Sequence, residues 1–431
     1  MKTTIVTRKI EFYVNESDKD LKKQFYQTLR DFSYYTFKHA NELVDTNRMV
    51  DVIKRGFGNS KNEITSEEMT EQLSGMFGCK PVSVPYKFSN QEFRDKLPSN
   101  IRVALSATIN ALYAKDRSDV ARGNRTIRSY KNGMPVPFTK TSIRQFKFDV
   151  ERKNFTFIFN GIPLITRLGR DRSDNKSILE SIIEGKYQLC DSSFQIKDGK
   201  FFLLLVHKVP VEKHKLNEKR VLGIDLGINV PLYGAINDKK DRIALGDRDS
   251  FLNQRLKFQK RKRQLQRDLK LTKGGKGRGK KLKALESLST KERNFAKNYN
   301  HNLSREVINF ALKHKCGIIN LEDLSGFKKN TNDFILRNWS FYELQTMIEQ
   351  KAKKVGITVN KVKAKYTSQR CNNCGYIDKE SRKSQSEFEC TSCGYEESAD
   401  YNAAKNISMA HTKEFQKEIE KHASSLKLCE A

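Results

Sequence analysis

Four cysteines in the C-terminal part of the chain have the spacing of a zinc site. They form two Cys-x₂-Cys pairs separated by fifteen residues: Cys371 and Cys374, then Cys390 and Cys393. Paired thiolates supply four soft ligands with tetrahedral geometry, and four cysteine ligands leave no open position for water. We therefore expect one structural Zn²⁺ in a small ribbon. The alternative is a pair of unrelated redox motifs.

Three acidic positions far apart in the sequence could form a second metal site. Asp225 lies in the strand-like segment RVLGIDLGINVPLY, with a glycine two residues away on each side. Such glycines would let a phosphate backbone approach closely. A second acid ends the segment GIINLE, where spacing does not distinguish Glu322 from Asp323. The third, Asp400, comes at the start of a helical segment rich in Ala and Asn.

Each of these acids alone also has an ordinary structural interpretation. Asp225 could be a solvent-facing residue of an edge strand, the second acid could cap a turn, and Asp400 could cap its helix. Together they suit two Mg²⁺ ions roughly 4 Å apart, the arrangement for in-line phosphodiester hydrolysis, because that site needs carboxylates from several elements. Magnesium takes few protein oxygens and keeps several waters. The three positions therefore predict a catalytic magnesium site.

The charge of the chain indicates a polyanionic partner. It has 82 Lys and Arg against 51 Asp and Glu in 431 residues, a formal net charge of +31. Residues 255–283 contain fourteen Lys or Arg and a single acid, Asp268. We predict a helix over 254–270 and a glycine-interrupted basic loop over 273–281. Such a run is typical of phosphate contact, with salt-dependent binding; the alternative is a solvated helix with a disordered linker.

Hydropathy patterning argues against a membrane or secreted protein. The longest wholly apolar run is six residues, 201–206, far short of the roughly 20 that a membrane span needs. The first fourteen residues alternate apolar with polar and do not resemble a secretory signal. We therefore expect an intracellular, cytoplasmic protein of a prokaryote, associated with the nucleoid when it is bound to DNA, and no membrane partner.

The elements that must position these residues follow from periodicity. A period-two pattern predicts a first strand over 5–14. Apolar residues at spacings of three to five then predict helices, which form a small helical lobe. Alternating runs predict hairpins over 146–159 and 194–209, the second around an Asp-Gly turn. From about residue 219, strands alternate with helices, which indicates an α/β domain. The predicted helices are 19–53, 67–76, 100–119, 304–314 and 341–355, and the further strands are 221–233, 317–321 and 357–362.

Four segments, in this order, resemble one known family. They are GIDLGINVPLYGAI (223–236), INLEDLSG (319–326), YTSQRCNNCGY (366–376) and CTSCGYEESADYNAAKNI (390–407). Over about residues 220–407 the chain resembles the RuvC nuclease of compact type V-F CRISPR effectors and of their relatives, the TnpB proteins. The resemblance places Asp225, Glu322 and Asp400 on the catalytic acids, and it favours Glu322 over Asp323. It places the four cysteines on the zinc ribbon.

The resemblance implies an architecture of α/β, β-barrel and helical parts. The expected fold is a ribonuclease H-like (RuvC) nuclease domain with an inserted zinc ribbon, preceded by a wedge-type β-barrel with a helical recognition insert. Some relatives have a further N-terminal zinc finger, but the helical lobe has only Cys79, so we expect no second zinc. In the first half, the implied parts are the first barrel strand 1–14, the recognition lobe 15–125 and the wedge barrel 126–213. In the second half, they are the nuclease domain 214–368, the ribbon 369–397 and the end of the nuclease domain with a tail, 398–431. The ribbon would bind target nucleic acid.

The resemblance also implies a function and partners. It predicts an RNA-guided DNA endonuclease of CRISPR defence, which binds a guide RNA and cuts double-stranded target DNA at one Mg²⁺-dependent site after it recognises a short flanking motif. A homodimer on one guide RNA is expected. The alternatives are a transposon-encoded TnpB nuclease and, less favoured, a guided DNA binder that does not cleave.

Overall fold

The computed structural model divides the chain into two compact units, Met1–Pro210 and Val211–Ala431. None of the helices in the described parts of these units is long and apolar enough to cross a membrane. The described residues are 3–58, 66–171, 173–227, 230–272, 274–323, 341–363 and 365–429.

The first unit contains an antiparallel sheet of eight strands. The strand order is β2-β7-β8-β1-β5-β4-β3, and β6 pairs with β8. The predicted hairpins are confirmed as β3–β4 and β7–β8. The second hairpin turns at Asp198 and Gly199, which both have the positive φ that a two-residue turn of this kind needs. The strands are β1 (Thr3–Val14), β2 (Val136–Phe138), β3 (Ile143–Asp149), β4 (Asn154–Phe159), β5 (Ile162–Arg167), β6 (Gln188–Leu189), β7 (Ser192–Lys197) and β8 (Lys200–Pro210).

Aromatic side chains fill the core of this sheet. Alternate residues of a strand point to the same face, so Phe155, Phe157 and Phe159 of β4 are all buried. The ring of Phe12 from β1 lies edge-on to Phe157, with 6.2 Å between the ring centroids. Phe12 makes a similar contact with Phe194 of β7 at 6.4 Å. The first strand of the chain is thus tied to strands that follow more than 120 residues later.

A helical lobe interrupts this sheet between its first two strands, as predicted. The first helix begins after Asp18, whose carboxylate accepts the backbone N–H groups of residues 20 and 21 at 2.9 and 2.8 Å. Its side chains bond the fourth helix, where Asn47 donates to Asn110 at 2.8 Å and Tyr113 donates to Asp51 at 2.9 Å. The helices of the unit are α1 (Lys19–Gly58), α2 (Ser66–Phe77), α3 (Val84–Phe93), α4 (Ser99–Ala121) and α5 (Asn175–Ile183).

The second unit is built on a mixed five-stranded sheet in the order β11-β10-β9-β12-β13. The first three strands in this order pair antiparallel, and β12 is parallel to both β9 and β13. The prediction of one strand over 221–233 is wrong, because the chain turns back after Asp225 and returns as β10; residues 228–229 lie outside the described part. The strands are β9 (Asn217–Asp225), β10 (Leu232–Ile236), β11 (Arg242–Leu245), β12 (Cys316–Glu322) and β13 (Thr358–Val362).

Helices cover both faces of this sheet, in agreement with the predicted α/β domain. On one face, Leu222 and Ile319 pack with Val307, Leu344 and other buried side chains of the two helices that flank β12. The opposite face is covered by the helix that contains Asp400. The helices are α6 (Arg248–Lys270), α7 (Gly275–Lys313), α8 (Phe341–Lys354), α9 (Ala399–Met409) and α10 (Lys413–Cys429), and a small hairpin has strands β14 (Glu387–Glu389) and β15 (Glu396–Ser398).

The prediction of a basic loop over 273–281 is wrong, because α7 is helical from Gly275 onward. Two of its cations bond the C-terminal end of α6. Arg278 donates to the carbonyls of Leu269 and Thr272 at 3.1 and 3.2 Å, and Lys281 donates to the Asp268 carbonyl at 3.2 Å. These bonds satisfy carbonyls that a helix end leaves without partners, and they outweigh the low helix propensity of glycine. Lys273 lies outside the described residues.

Candidate active site and metal centre

Two of the three predicted acids end neighbouring parallel strands. Asp225 is the last residue of β9 and Glu322 is the last residue of β12. The pairing of Ile224 with Leu321 brings both acids to the same end of the sheet. Glu322 is further fixed by Gln345 of α8, whose side chain donates to its backbone carbonyl at 2.6 Å. The topology of the sheet therefore brings together two side chains that are 97 residues apart in the sequence.

Helix α9 brings the third acid to this end of the sheet by lying directly on β9. A Cβ atom on Gly223 would be only 2.1 Å from the Ala404 carbonyl oxygen, so the two backbones touch. The interpretation of this glycine as an opening for a phosphate backbone is wrong, because the helix fills that space. At Gly227, an added Cβ would lie 2.7 Å from the Val230 carbonyl and 3.8 Å from an Asp400 carboxylate oxygen. Asp400, in the first turn of α9, thus lies close to the end of β9.

The pKa values of the three acids are all raised, and that of Asp225 is raised partly by the other two carboxylates. Burial and the nearby carboxylates of Glu322 and Asp400 raise the pKa of Asp225 to about 8. Burial, with the adjacent Asp323, raises the pKa of Glu322 to about 7. Burial likewise raises the pKa of Asp400. Half-buried carboxyl groups that repel one another take a proton or a cation, and carboxylate oxygens are ligands that Mg²⁺ prefers.

Arg382 is a residue of this site that sequence reasoning missed. Its guanidinium opposes the effect of burial and lowers the pKa of both Asp225 and Asp400. It lies between the two cysteine pairs, and two of its nitrogens are 3.4 Å from the carbonyls of Ser384 and Gln385. No spacing in the sequence distinguishes it from the neighbouring lysines, so the fold alone identifies it.

The four predicted cysteines come together in one cluster. Their sulfur atoms all lie within 4.8 Å of one another. The Sγ atoms of Cys371 and Cys393 are 3.8 Å apart, and those of Cys374 and Cys390 are 3.6 Å apart. Tetrahedral thiolates at the usual Zn–S distance of 2.3 Å would be about 3.8 Å apart. The cluster could therefore hold a metal ion, with the dimensions that zinc requires.

The two cysteine pairs have the same local geometry. In each, a glycine with positive φ follows the second cysteine, and its N–H donates to the carbonyl of the first cysteine at 3.0 Å for Gly375 and 2.9 Å for Gly394. The N–H of each first cysteine is in turn bonded by the residue after that glycine, Tyr376 or Tyr395. These turns aim each pair of sulfurs at one point.

Asparagines on α9 connect the cysteine cluster to the helix that contains Asp400. Asn402 accepts the N–H of Asn372 at 2.9 Å and donates to the Arg370 carbonyl at 2.8 Å. Asn406, one turn later, donates to the same carbonyl at 2.6 Å and accepts a bond from the Arg370 guanidinium. The spacing of four in YNAAKN was a visible signal, since it places both amides on one face of a helix.

Asn320 connects the strand of Glu322 to the other end of α9. This residue lies two positions before Glu322 and is fully buried. Its side-chain nitrogen donates to the carbonyls of Ile407 and Ser408 at 2.9 and 3.1 Å, and it is 2.9 Å from Nδ1 of His411. The side chain therefore fixes α9 along β12, and so sets the position of Asp400 relative to Glu322.

The basic segment presents a continuous cationic face. Six Lys and Arg side chains of α6 are exposed, and none of the six is in an ion pair with a described residue. By contrast, the half-buried Arg255 pairs with Glu292 of α7 at 3.5 Å. Unpaired cations along one helix face suit a phosphate backbone. The six are Lys257, Lys260, Arg261, Arg263, Arg267 and Lys270.

Two family models match parts of this chain. Residues 341–407 match the model described as "Cas12f1-like, TNB domain". Residues 204–327 match OrfB_IS605, described as "Probable transposase". The second range includes Asp225 and Glu322, and the first includes Asp400 and all four cysteines.

Three curated relatives are similar to this chain over different lengths. The CRISPR-associated endodeoxyribonuclease Cas12f1 of Sulfoacidibacillus thermotolerans is 33% identical over 314 residues, which are 68% of this chain and 72% of that protein. The Cas12f1 of Syntrophomonas palmitatica is 35% identical over 280 residues, 56% of this chain and 55% of that protein. A TnpB-like protein of Methanocaldococcus jannaschii is 37% identical over 102 residues, 22% of this chain and 36% of that protein.

One solved structure shows the same fold. In the cryo-EM structure of a Cas12f1–sgRNA–target DNA complex, a protein chain aligns with 94% of this chain and 99% of its own length, with a TM-score of 0.69 and 20% sequence identity.

Proposed function

Because the chain belongs to the Cas12f1 family of CRISPR-associated endodeoxyribonucleases, which is related to TnpB, we propose that it is an RNA-guided DNA endonuclease. Its partners are a guide RNA and a matching double-stranded DNA. Pairing between guide and target selects the sequence, while the protein recognises duplex shape and a short flanking motif. The exposed cations of α6 support this function, because they suit a polyanion rather than a neutral substrate.

Within this function, we propose that Asp225, Glu322 and Asp400 form the single cleavage site. The observation that carries this assignment is the mutual effect of the acids: the other two carboxylates help raise the pKa of Asp225 to about 8. Mg²⁺ ions bound there, two by the usual arrangement, would supply Lewis-acid stabilisation of the phosphate that is attacked. The carboxylates hold the cations, and Arg382 adds a positive charge beside Asp225 and Asp400 where a phosphodiester would lie.

We propose a structural role for the metal of the cysteine cluster. The donor set is four thiols whose sulfur separations of 3.6 and 3.8 Å fit one Zn²⁺. Because Asn402 and Asn406 bond this region to α9, an ordered ribbon supports the helix that positions Asp400.

We also propose the finer architecture that the family implies. The second unit is a ribonuclease H-like RuvC domain (214–368 and 398–431) with the zinc ribbon (369–397) inserted. Residues 1–14 and 126–213 are the wedge barrel, and 15–125 are the recognition lobe that holds guide and target. The mixed sheet with acids at its strand ends, and the helical insert after β1, support these assignments.

Guide-programmed cleavage of a matched plasmid tests this function. The purified protein with its guide is expected to cut only when a divalent metal is present, and Asp225→Ala should abolish cutting while guide binding persists. Glu286→Ala is the matched control, since it removes an exposed acid of the same unit from α7. Normal cutting by Asp225→Ala would show that the site assignment is wrong.

A transposon-encoded TnpB nuclease is the second candidate, favoured by the match of residues 204–327 to OrfB_IS605. Sequencing the RNA that copurifies distinguishes the two: repeat–spacer transcripts indicate a CRISPR effector, and a transposon-end RNA indicates TnpB. We further propose a homodimer on one guide RNA, which a mass of two chains per guide would support and one chain per guide would refute. Tight target binding without cutting in any divalent metal would instead indicate a cleavage-inactive binder.

A further inference from the structure

Helix α10 packs on the second unit at the point where the cysteine ribbon begins. Its buried residue Phe415 packs with Val362 of β13 and with Ile407 of α9. Two turns later, the ring of His422 lies edge-on to Tyr366, with 5.1 Å between the ring centroids. The helix therefore contacts the edge strand of the sheet, the helix of the third acid and the segment that leads into the first cysteine pair.

Arg370, which directly precedes the first cysteine, is held by this helix. It is only 8% exposed. Its Nε and Nη2 both donate to one carboxylate oxygen of Glu418, at 2.9 and 2.7 Å. The guanidinium also lies over the ring of Phe415, 5.0 Å from its centroid. A buried cation is costly unless it is paired and hydrogen-bonded, so these two residues of α10 stabilise Arg370 in its buried position.

The same residue bonds the helix of Asp400 through both its side chain and its backbone. Nη1 of Arg370 donates to the side-chain oxygen of Asn406 at 2.9 Å. The Arg370 carbonyl accepts bonds from the side-chain amides of Asn402 and Asn406, at 2.8 and 2.6 Å. Asn402 is two residues after Asp400. Arg370 therefore fixes the part of α9 that carries the third acid.

The guanidinium also packs against the turn of the first cysteine pair. An added Cβ on Gly375 would lie 3.2 Å from Nη2 of Arg370 and 3.7 Å from a carboxylate oxygen of Glu418. The Cys371 carbonyl accepts bonds from the Gly375 N–H at 3.0 Å and from Nη1 of Arg370 at 3.3 Å. A shift of the ion pair would therefore shift the turn that orients the Sγ atoms of Cys371 and Cys374. The contacts run without a gap from the cysteine cluster through Arg370 to α9.

We propose that Arg370 is a positioning residue for DNA cleavage and that α10 is the clamp that holds it. Glu418 and Phe415 fix the guanidinium, and Arg370 in turn fixes the start of α9 and with it the carboxylate of Asp400. This role rests on the proposed nuclease function and the proposed zinc, and it adds a coupling between the two metal sites. Since one residue contacts both the cysteine turn and α9, loosening it weakens both sites together.

The test replaces Glu418, because its side chain is 47% exposed and its loss leaves no hole in the core. With Glu418→Ala in the guide complex, cleavage of a matched target should need roughly tenfold more Mg²⁺ to reach half its maximal rate, an effect typical of mutations along a coupling network. Zinc should pass from this variant to a chromogenic chelator roughly tenfold faster than from the wild type. Affinity for guide RNA should not change.

Two further variants and a control separate the clamp from a general loss of stability. Glu418→Gln keeps a hydrogen-bond acceptor without the charge and should give intermediate values in both measurements. Arg370→Ala should show both effects, and adding Glu418→Ala to it should add nothing, because the two residues act through one contact. The control, Glu414→Ala, removes an exposed acid one turn earlier in α10 and should behave as the wild type.

The two measurements also separate the clamp from the nuclease function. In a chain that cuts DNA, a wild-type Mg²⁺ requirement or wild-type zinc release in Glu418→Ala would overturn the coupling, and so would a purified chain that holds no zinc. Zinc release needs no cleavage. If the wild type cuts no matched target with any divalent metal while Glu418→Ala still releases zinc faster, the proposed function fails and the contact of α10 with the ribbon stands.

Discussion

Replacing Asn320 with alanine tests how the strand of Glu322 is fixed to the helix of Asp400. The substitution removes the bonds to the Ile407 and Ser408 carbonyls, at 2.9 and 3.1 Å, from a side chain with no exposed surface. Each lost bond costs about 1 kcal/mol, and a buried carbonyl deprived of its donor costs about 1 kcal/mol more. We therefore expect the local free energy of opening at β12 and α9 to fall by about 3 kcal/mol.

Amide hydrogen exchange of the intact protein, followed by mass spectrometry, measures this loss directly. Three kcal/mol corresponds to exchange about 100-fold faster in peptides that cover Cys316–Glu322 and Ala399–Met409. The matched control is Asn360→Ala, because within the described residues the Asn360 side chain makes a single bond, of 3.3 Å, to Asn320; its exchange should change less than threefold. Cleavage by Asn320→Ala should fall on the order of 100-fold at unchanged guide affinity, since the acids lose their mutual position. Exchange within threefold of the wild type would refute the reasoning.

Three further predictions concern other parts of the second unit. Gly223→Ala should lower stability by about 3 kcal/mol in urea unfolding, because its Cβ would meet the Ala404 carbonyl at 2.1 Å; Gly277→Ala, with nothing within 4 Å in α7, should instead be neutral or slightly stabilising. Cys374→Ser should reduce zinc measured by plasma mass spectrometry from one per chain towards zero, whereas Cys190→Ser, outside the cluster, should retain it. Folding raises the pKa of Asp225 from 3.8 to about 8, so its contribution to stability without divalent cations is present below pH 4 and is lost as pH rises through about 8. Asp225→Asn should therefore raise the thermal unfolding midpoint more at pH 8 than at pH 5, and an equal rise at both would contradict the shift.

The spacing of the cysteines was sufficient to predict their cluster, because both pairs close locally through turns at Gly375 and Gly394. The three acids were harder to predict than the cysteine cluster. Position in the sequence did not distinguish Glu322 from Asp323, and only the resemblance favoured Glu322. In the structure Asp323 is exposed and Glu322 is half-buried, and the catalytic role of Glu322 stays a prediction. The elements around them were predicted where periodicity was strong, as at β3–β4 and β7–β8.

What sequence reasoning missed depends on contacts between distant residues. Asn320 acquires its role only through carbonyls 87 and 88 positions later, and no local pattern indicates that contact. The helical start of α7 is a similar case, because bonds from Arg278 and Lys281 to the end of α6 override the glycines. The sequence suggested a close approach to the backbone at Gly223, but the element that approaches it is helix α9 and not a phosphate backbone.

The order of the acids along the chain has a consequence for synthesis. Asp225 and Glu322 end strands of one sheet, but α9, which brings Asp400, packs on that sheet from the last tenth of the 431 residues. At 5–20 residues per second, a ribosome needs about 4 to 16 s to proceed from Glu322 to Asp400. During that interval the nascent chain already displays the cations of α6 and could gather RNA, yet it has only two of its three carboxylates. In this order of assembly, the cations that suit RNA are displayed before the third carboxylate of the proposed cleavage site is made.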